Sequence, residues 1–450
     1  MVKVIVGYGK TGQSVARHFE RTQTSYWVAE DRLSNVAKEQ LEQAPHCVGF
    51  GSIDDLVPSA EQSWIVSPGI PLSKAIFETA RIAGVELIND LQLFRPLIEG
   101  RVVGVTGSNG KSTVVTMVTH IAKALNIKAV AAGNIGLPVL DALVDQPELM
   151  VVELSSYQLE LGSALGLDVA ALINLMPDHL DRYDSVDTYY RTKESIFNQA
   201  QVRVSYEAWR SERKPKRMSQ SGRGTWLAFG YSPPSQDQST VPQGVTVSVS
   251  ADSLRFEFEG ESVLIAKRGP WLSRHNAING AAALAICIGL GLPLVTSAQC
   301  LETFEGLPHR CEVLPTKDGV LWINDSKATN VSAAVSAIES FRDAGPLILI
   351  LGGRPKQEDF SPLFNALSHT PQLKALVLYG EAASLIFDQL SDEWHAMRCI
   401  HFREAVDLAF QSAESGDVIL FSPACASFDQ FENFEVRGDA FRQQVLEMAA

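Results

Sequence analysis

The stretch RVVGVTGSNGKSTVVTM, Arg101 to Met117, decides how the chain is read. A β-branched run at 102–105 enters Thr106-Gly107-Ser108-Asn109-Gly110-Lys111-Ser112-Thr113, and an apolar segment with helical spacing follows. The order is strand, glycine-rich loop, helix. Gly107 and Gly110 let backbone N–H groups turn inward around phosphate oxygens. The helix start adds the positive end of its dipole. Lys111 is spaced to reach terminal phosphates, and the Ser112 hydroxyl to sit on Mg²⁺. The generic pattern has a glycine where Val105 stands. The TGxNGKST core, with strand and helix context on both sides, outweighs that departure.

Around this stretch the chain is long enough, at 450 residues, for about three domains. The expected divisions are 1–95, 96–305 and 306–450. A hydrophobic fraction of 46% can fill full cores and argues against extended disorder. The net charge of −14 disfavours nucleic acid or an anionic membrane as the main partner. Six cysteines (47, 287, 300, 311, 399, 425) include no C-x-x-C pair, so neither a metal pattern nor a disulfide framework is expected. The start, MVKVIVGYGKTG, lacks the layout of a signal peptide, and no apolar run is long enough to span a bilayer. A cytoplasmic protein is expected.

Upstream, a strand at 2–6 runs into Gly7-Tyr8-Gly9-Lys10-Thr11-Gly12 and a helix at 13–19, and a strand at 26–29 ends at Glu30-Asp31-Arg32. This begins a dinucleotide-type α/β unit with acidic residues where a ribose sits. A lone GxGxxG leaves NAD and other nucleotides open, and Lys10 suits a phosphate. A strand at 64–66 ends in the sharp turn Ser67-Pro68-Gly69-Ile70-Pro71. Downstream, a strand at 129–132 leads to Gly133-Asn134-Ile135-Gly136, and one at 149–152 ends at Glu153, where a Mg²⁺ ligand is expected. A strand at 170–175 precedes Asp178-His179, and a helix at 186–197 carries Lys193. The basic run RSERKPKR (210–217) and residues 232–243 read as solvated loops, and 245–249 with 254–258 as a hairpin. Arg274-His275-Asn276 precedes a helix at 277–290, with Asn276 and Asn279 three apart. Strands at 320–324, 347–351, 375–379 and 418–421 alternate with helices as a third α/β unit. The fold class is therefore α/β: a Rossmann-like N-terminal domain, a central P-loop ATPase-like domain and a C-terminal Rossmann-like domain.

Taken in order, TGSNGKST, VVELSSYQLE, DHLDRY, RHNAIN, LPHRCE, INDSKATN, LGGRPK and SPACASFDQFENFEVRG resemble the Mur ligase family of ATP-dependent amide-bond-forming enzymes over nearly the whole chain. SPACASFDQF and GNIGLP are most similar to the member that adds D-glutamate to UDP-N-acetylmuramoyl-L-alanine, in peptidoglycan precursor synthesis. The resemblance implies that the loop 107–113 binds ATP, with Lys111, Ser112 and Thr113 on phosphates and Mg²⁺. It implies Glu153 at a first Mg²⁺, and His179 at a second beside Lys193, carbamylated by CO₂. Asn279, Arg310 and Asp325 match nucleotide-contacting positions. Lys327, Thr329, Lys356, Ser427 and Phe434 match positions around the incoming amino acid. Lys10, Thr11, Asp31 and Arg32 match the uridine-diphosphate site, with Gly69 and Asn134 along the sugar-peptide arm. A monomer is expected. The competing readings are a related ligase for another amino acid, an NAD-dependent oxidoreductase and a non-catalytic nucleotide-binding regulator.

Overall fold

The computed structural model describes residues 2–162, 164–179, 182–207, 225–231, 243–316, 319–356, 359–390 and 394–448. The run RSERKPKR, residues 232–242 and the Leu180-Asp181 pair of DHLDRY lie outside the described residues. Three sheets form. The first contains β1 (Val2–Val6), β2 (Tyr26–Ala29), β3 (Cys47–Gly51), β4 (Gln62–Val66) and β5 (Glu86–Ile88), all parallel, in the order β3-β2-β1-β4-β5. The second is built on β6 (Arg101–Thr106), β7 (Ala129–Gly133), β8 (Leu149–Glu153), β9 (Val169–Leu172), β10 (Val202–Tyr206) and β11 (Thr225–Tyr231). These six are parallel in the order β11-β10-β9-β6-β8-β7, and β12 (Gly244–Val249), β13 (Ser253–Phe258) and β14 (Glu261–Ala266) complete the sheet. The third comprises β15 (Glu312–Val313), β16 (Leu321–Asn324), β17 (Leu347–Gly352), β18 (Leu373–Tyr379), β19 (Ala396–Arg398) and β20 (Val418–Ala424). Its order is β15-β16-β20-β17-β18-β19, parallel except for β15. This is the expected α/β class.

Two compact units result: residues 1–246, 256–263 and 279–301, and residues 247–255, 264–278 and 302–450. In the first unit, Val102, Val103, Val105, Val151 and Ala170 are fully buried. Strands buried on both faces read as unbroken apolar runs, which is why β6, β8 and β9 were legible as such. Chain order reverses at β1, between β2 and β4, and at β6, between β8 and β9. Open α/β sheets bind ligands at such switch points, beyond the carboxyl ends of the strands. The GxGxxG and TGSNGKST loops leave β1 and β6 at those two places.

The glycine spacing of the first loop has a steric cause. A Cβ on Gly12, in the first turn of the helix Lys10–Arg21, would lie 2.0 Å from the Gly7 carbonyl oxygen. Gly7 has φ +92 and packs against Ser67 and Ile70 of the turn after β4. The same helix is tied to the second sheet's surround: Arg17 Nη2 is 2.5 Å from Asp141 Oδ2, and Arg21 donates to the Leu140 carbonyl at 3.0 Å.

Some boundaries differ from expectation. β9 stops at Leu172, because Asn174 turns out of the ladder to bond the neighbouring loop. The helix at 186–197 is α-helical over Val186–Glu194 and tightens to a 3₁₀ turn over Ser195–Phe197. The helix expected from 277 starts at Arg274, taking Arg274-His275-Asn276 into its first turn. β20 runs on to Ala424, where it still pairs with Gly352 at the end of β17, although its pairing with β16 ends at Phe421. Among the described residues, no helix is long and apolar enough to cross a membrane.

Gly12→Ala is expected to lower stability by about 3 kcal/mol, the upper range for overpacking against atoms that cannot yield. An unchanged urea midpoint would contradict the close approach. Asp90 supplies a pH test. It is buried behind the Asn89 cap of the helix Asp90–Phe94, and its Oδ1 has no hydrogen-bond partner among the described residues. Burial raises its carboxyl to about 6. The raised value means the protonated form is favoured by folding, so this contribution is complete below about pH 4 and is lost as pH rises through about 6. Asp90→Asn should therefore gain stability over the parent on going from pH 5 to pH 8. An equal difference at both pH values would exclude the effect.

Candidate functional site

The loop after β6 is fixed from outside itself. Asn174 Oδ1 accepts from the Ser108 and Asn109 N–H groups at 3.0 and 2.9 Å, and its amide donates to the Asn109 carbonyl at 2.9 Å. The Ser108 hydroxyl donates to the Met176 carbonyl at 2.8 Å and accepts from its N–H at 2.9 Å. Gly107 (φ +158) presses on Ile173, and a Cβ on Gly110 (φ +79) would lie 2.6 Å from Asn279 Oδ1. This accounts for both glycines and brings Asn279 to the loop. Lys111 Nζ donates to the Gly107 and Ser108 carbonyls at 2.9 Å each, and Thr113 is buried in the helix Lys111–Ala124. Asn174 was not singled out in the sequence. Its only signal there is one polar residue closing an apolar strand beside a phosphate loop.

The two first-site metal candidates meet. The Ser112 hydroxyl donates to Glu153 Oε2 at 2.6 Å, and both residues are buried. The Asn134 amide donates to Glu153 Oε1 at 3.0 Å, so Asn134 touches the carboxylate at the tip of β8. Lys193, 2% exposed, donates to the Gly107 carbonyl at 2.9 Å. Burial, reinforced by the charge of Lys111, holds its amine well below the ordinary lysine range.

His179 has a different setting. It adopts φ +55, and its Nδ1 is 2.9 Å from the Tyr157 hydroxyl. Tyr189 lies by both expected partners: its ring is 5.0 Å from Lys193 Nζ, and its centroid 6.2 Å from that of His179. Among the described residues, no three His, Cys, Asp or Glu side chains form a metal-sized group.

At the first switch point, Lys10 opens its helix with an exposed side chain, followed by Thr11. Asp31 accepts from Ile53 N–H (3.0 Å), Ser52 Oγ (2.8 Å) and Lys74 Nζ (3.1 Å), which together lower its carboxyl. Glu30 holds the glycine loop, accepting from Tyr8 N–H at 2.9 Å and from Arg32 N–H at 3.1 Å. Gly69 is exposed in the turn after β4.

In the second unit, Asp325 is buried beyond β16 and accepts from Ser422 Oγ (2.8 Å) and Cys311 N–H (3.1 Å). Burial raises its carboxyl to about 7, against the opposing pull of the Ser422 hydroxyl and Arg310. Lys327 Nζ lies 3.7 Å above the ring of Phe434, which begins the helix Phe434–Met448. Lys356 Nζ donates to Thr329 Oγ1 at 3.3 Å, and Ser427 is buried. Arg437, which lies inside SPACASFDQFENFEVRG but has no role assigned from the sequence, organises this group. It is fully buried and donates to Ser326 Oγ (3.0 Å), Ser326 O (2.8 Å) and Cys425 O (3.1 Å), joining DSKATN to SPACAS. Paired backbone bonds between Arg354 and Ala426 fasten LGGRPK to the same loop.

Comparison with known proteins agrees along the length of the chain. The MurD-like N-terminal domain of Mur ligases matches residues 1–89, the Mur ligase middle domain 105–287, and the Mur ligase glutamate ligase domain 309–425. Relatives from Nitrosococcus oceani and Idiomarina loihiensis are 39% and 37% identical, covering 99% and 98% of this chain and 96% of each relative. Both carry the name UDP-N-acetylmuramoylalanine--D-glutamate ligase. Two solved structures from Thermotoga maritima share the fold. MurF ligase in complex with ADP has a TM-score of 0.64 at 17% identity, covering 100% of this chain and 95% of that one. The UDP-N-acetylmuramate-alanine ligase MurC has a TM-score of 0.60 at 18% identity, covering 100% of both chains. On full-length identity and domain order, the chain belongs to the Mur ligase family.

Proposed function

We propose that this chain is an ATP-dependent ligase that joins D-glutamate to UDP-N-acetylmuramoyl-L-alanine in peptidoglycan precursor synthesis. The observation that carries the reading is the phosphate loop whose Ser112 hydroxyl meets Glu153 at 2.6 Å, in a chain at least 37% identical to two ligases of that name. In this reading residues 1–95 hold the uridine-diphosphate sugar, 96–305 the ATP and 306–450 the amino acid. The chain acts as a monomer.

A carboxylate and an amine do not condense unaided in water. The bound L-alanyl carboxylate attacks the γ-phosphorus of ATP, ADP leaves, and an acyl phosphate remains. The amine of D-glutamate attacks the acyl carbon and loses a proton, the tetrahedral intermediate collapses, and inorganic phosphate departs. Phosphoryl transfer needs positioning and charge neutralisation more than side-chain nucleophiles. Lys111 neutralises charge on the transferring group. Lys356 and the hydroxyls of Thr329 and Ser427 suit a dianionic amino acid, with Lys327 and Phe434 beside them. Lys10, Thr11, Asp31, Arg32 and Gly69 serve the uridine-diphosphate sugar, with Asn134 towards its peptide arm. Asn279, Arg310 and Asp325 serve the nucleotide. The oxygen pair of Ser112 and Glu153 is the donor chemistry Mg²⁺ prefers. Mg²⁺ there would supply electrostatic stabilisation of phosphate oxygens. A second ion would be held by His179 and by Lys193 as its carbamate. The suppressed basicity of Lys193 favours the neutral amine that attacks CO₂, and the carbamate supplies an anionic oxygen where a lysine otherwise brings positive charge.

The direct test of the activity is ADP release that depends jointly on UDP-N-acetylmuramoyl-L-alanine and D-glutamate. Equal release with L-alanine in place of D-glutamate would overturn the substrate assignment. Lys111→Ala should cut phosphate release by roughly 10²–10³-fold, the scale for removing a preorganised charge-stabilising donor, with an unchanged melting profile. A fully active variant would remove Lys111 from the mechanism. Lys193→Ala should lose roughly 10²-fold and recover in part with formate or acetate, if an anionic oxygen is what the site needs. Failure of every small carboxylic acid to rescue it would count against the carbamate.

A further inference from the structure

The stretch that ends β8 supplies more than Glu153. Four residues on, Tyr157 lies in the short helix Ser156–Leu159, which starts with a capping box between Ser155 and Gln158. Its hydroxyl is 2.9 Å from His179 Nδ1. The ring is held firmly. The Arg182 guanidinium lies 4.0 Å from the ring centroid, and Tyr183 stacks on it with centroids 6.3 Å apart. Arg182 is itself clamped by Glu160, with Nε to Oε1 at 3.0 Å and Nη2 to Oε2 at 2.7 Å. That pair is largely shielded, at 13% and 16% side-chain exposure, where a two-pronged ion pair keeps its orientation. The segment from Glu153 to Glu160 thus fixes the phosphate-loop carboxylate at one end and the imidazole at the other.

We propose that Tyr157 is a positioning residue for His179: its hydroxyl oxygen accepts the Nδ1 proton, which fixes the ring and places the imidazole lone pair on Nε2. An imidazole that ligates a metal through one nitrogen donates its other N–H to a neighbouring acceptor, which sets tautomer and ring orientation. Tyr157 is such an acceptor. Asp178 Oδ2 lies 3.6 Å from Nε2, at ion-pair rather than hydrogen-bond distance, while its Oδ1 accepts from the His179 backbone N–H at 2.9 Å. Asp178 thereby braces the backbone at a residue with φ +55, and Tyr157 orients the ring. The consequence for turnover rests on the metal role proposed for His179. The hydrogen-bond geometry does not.

Tyr157→Phe separates the two. It removes one oxygen and keeps the ring between Arg182 and Tyr183, so the fold is preserved. The readout independent of turnover is the ¹⁵N spectrum of His179 in the metal-free protein, assigned with His179→Gln. The Nδ1–H tautomer should dominate in the parent and lose that dominance in Tyr157→Phe. In the assay, the Mg²⁺ concentration for half-maximal rate should rise about 10-fold, the scale for losing a partner of a ligating histidine, with KM for D-glutamate unchanged. An unchanged tautomer ratio overturns the proposal. A changed ratio with the same Mg²⁺ midpoint in Tyr157→Phe, His179→Gln and parent keeps the positioning bond and removes His179 from the metal.

Discussion

The structure around the nucleotide site depends on the way Asn174 pins the phosphate loop. Two consecutive N–H groups and one carbonyl of that loop are bonded to a single side chain two residues past the end of β9. Three backbone groups are thereby paired that would otherwise be only half satisfied beside a buried strand tip. The anchor also sets where Ser108 can reach Met176, and so how the chain leaves β9 towards His179. Gly107 and Gly110 are required for a related reason. Each has positive φ, and each has a neighbour where a Cβ would stand. Bonds within the protein thus fix the shape of the cradle, which is the condition for electrostatic stabilisation without reorganisation during reaction.

From that loop the remaining chemistry follows sheet order. β8 lies next to β6, so its terminal Glu153 reaches Ser112. β9 lies on the other side, and the segment after it carries His179. The helix Val186–Glu194 returns Lys193 beneath Gly107. A buried lysine amine bonded to a carbonyl, with a second lysine close by, is costly as a cation. The carbamate proposed for it would put an anionic oxygen in place of that cation. The second unit uses the same rule. Asp325, Gly352-Gly353 and Ala424-Cys425 follow or end parallel strands, and Arg437 reaches into the gap and satisfies the carbonyls left there.

Much of this was legible in the residues. The apolar strands at 102–105, 149–152 and 347–351 announce burial on both faces, and TGSNGKST announces its own geometry. What escaped were partners set by tertiary placement. Asn174 ends an apolar run and carries no motif of its own. Arg437 lies within the motif SPACASFDQFENFEVRG, yet the part a buried arginine plays is visible only once its acceptors are assembled around it. The His179 imidazole, on a left-handed backbone, also meets the Tyr157 hydroxyl, a contact that spacing between motifs does not encode. The start of the helix at Arg274, three residues early, reflects the general weakness of sequence patterns at element ends.

The central claim is that this loop serves to make a carboxylate reactive by phosphorylating it. Isotope transfer tests it most directly. UDP-N-acetylmuramoyl-L-alanine carrying ¹⁸O at both oxygens of its alanyl carboxylate is turned over with ATP and D-glutamate, and the released inorganic phosphate is examined by ³¹P NMR. The account predicts one ¹⁸O in each phosphate, because the oxygen that attacked phosphorus leaves with it. Unlabelled phosphate released alongside amide product would contradict it.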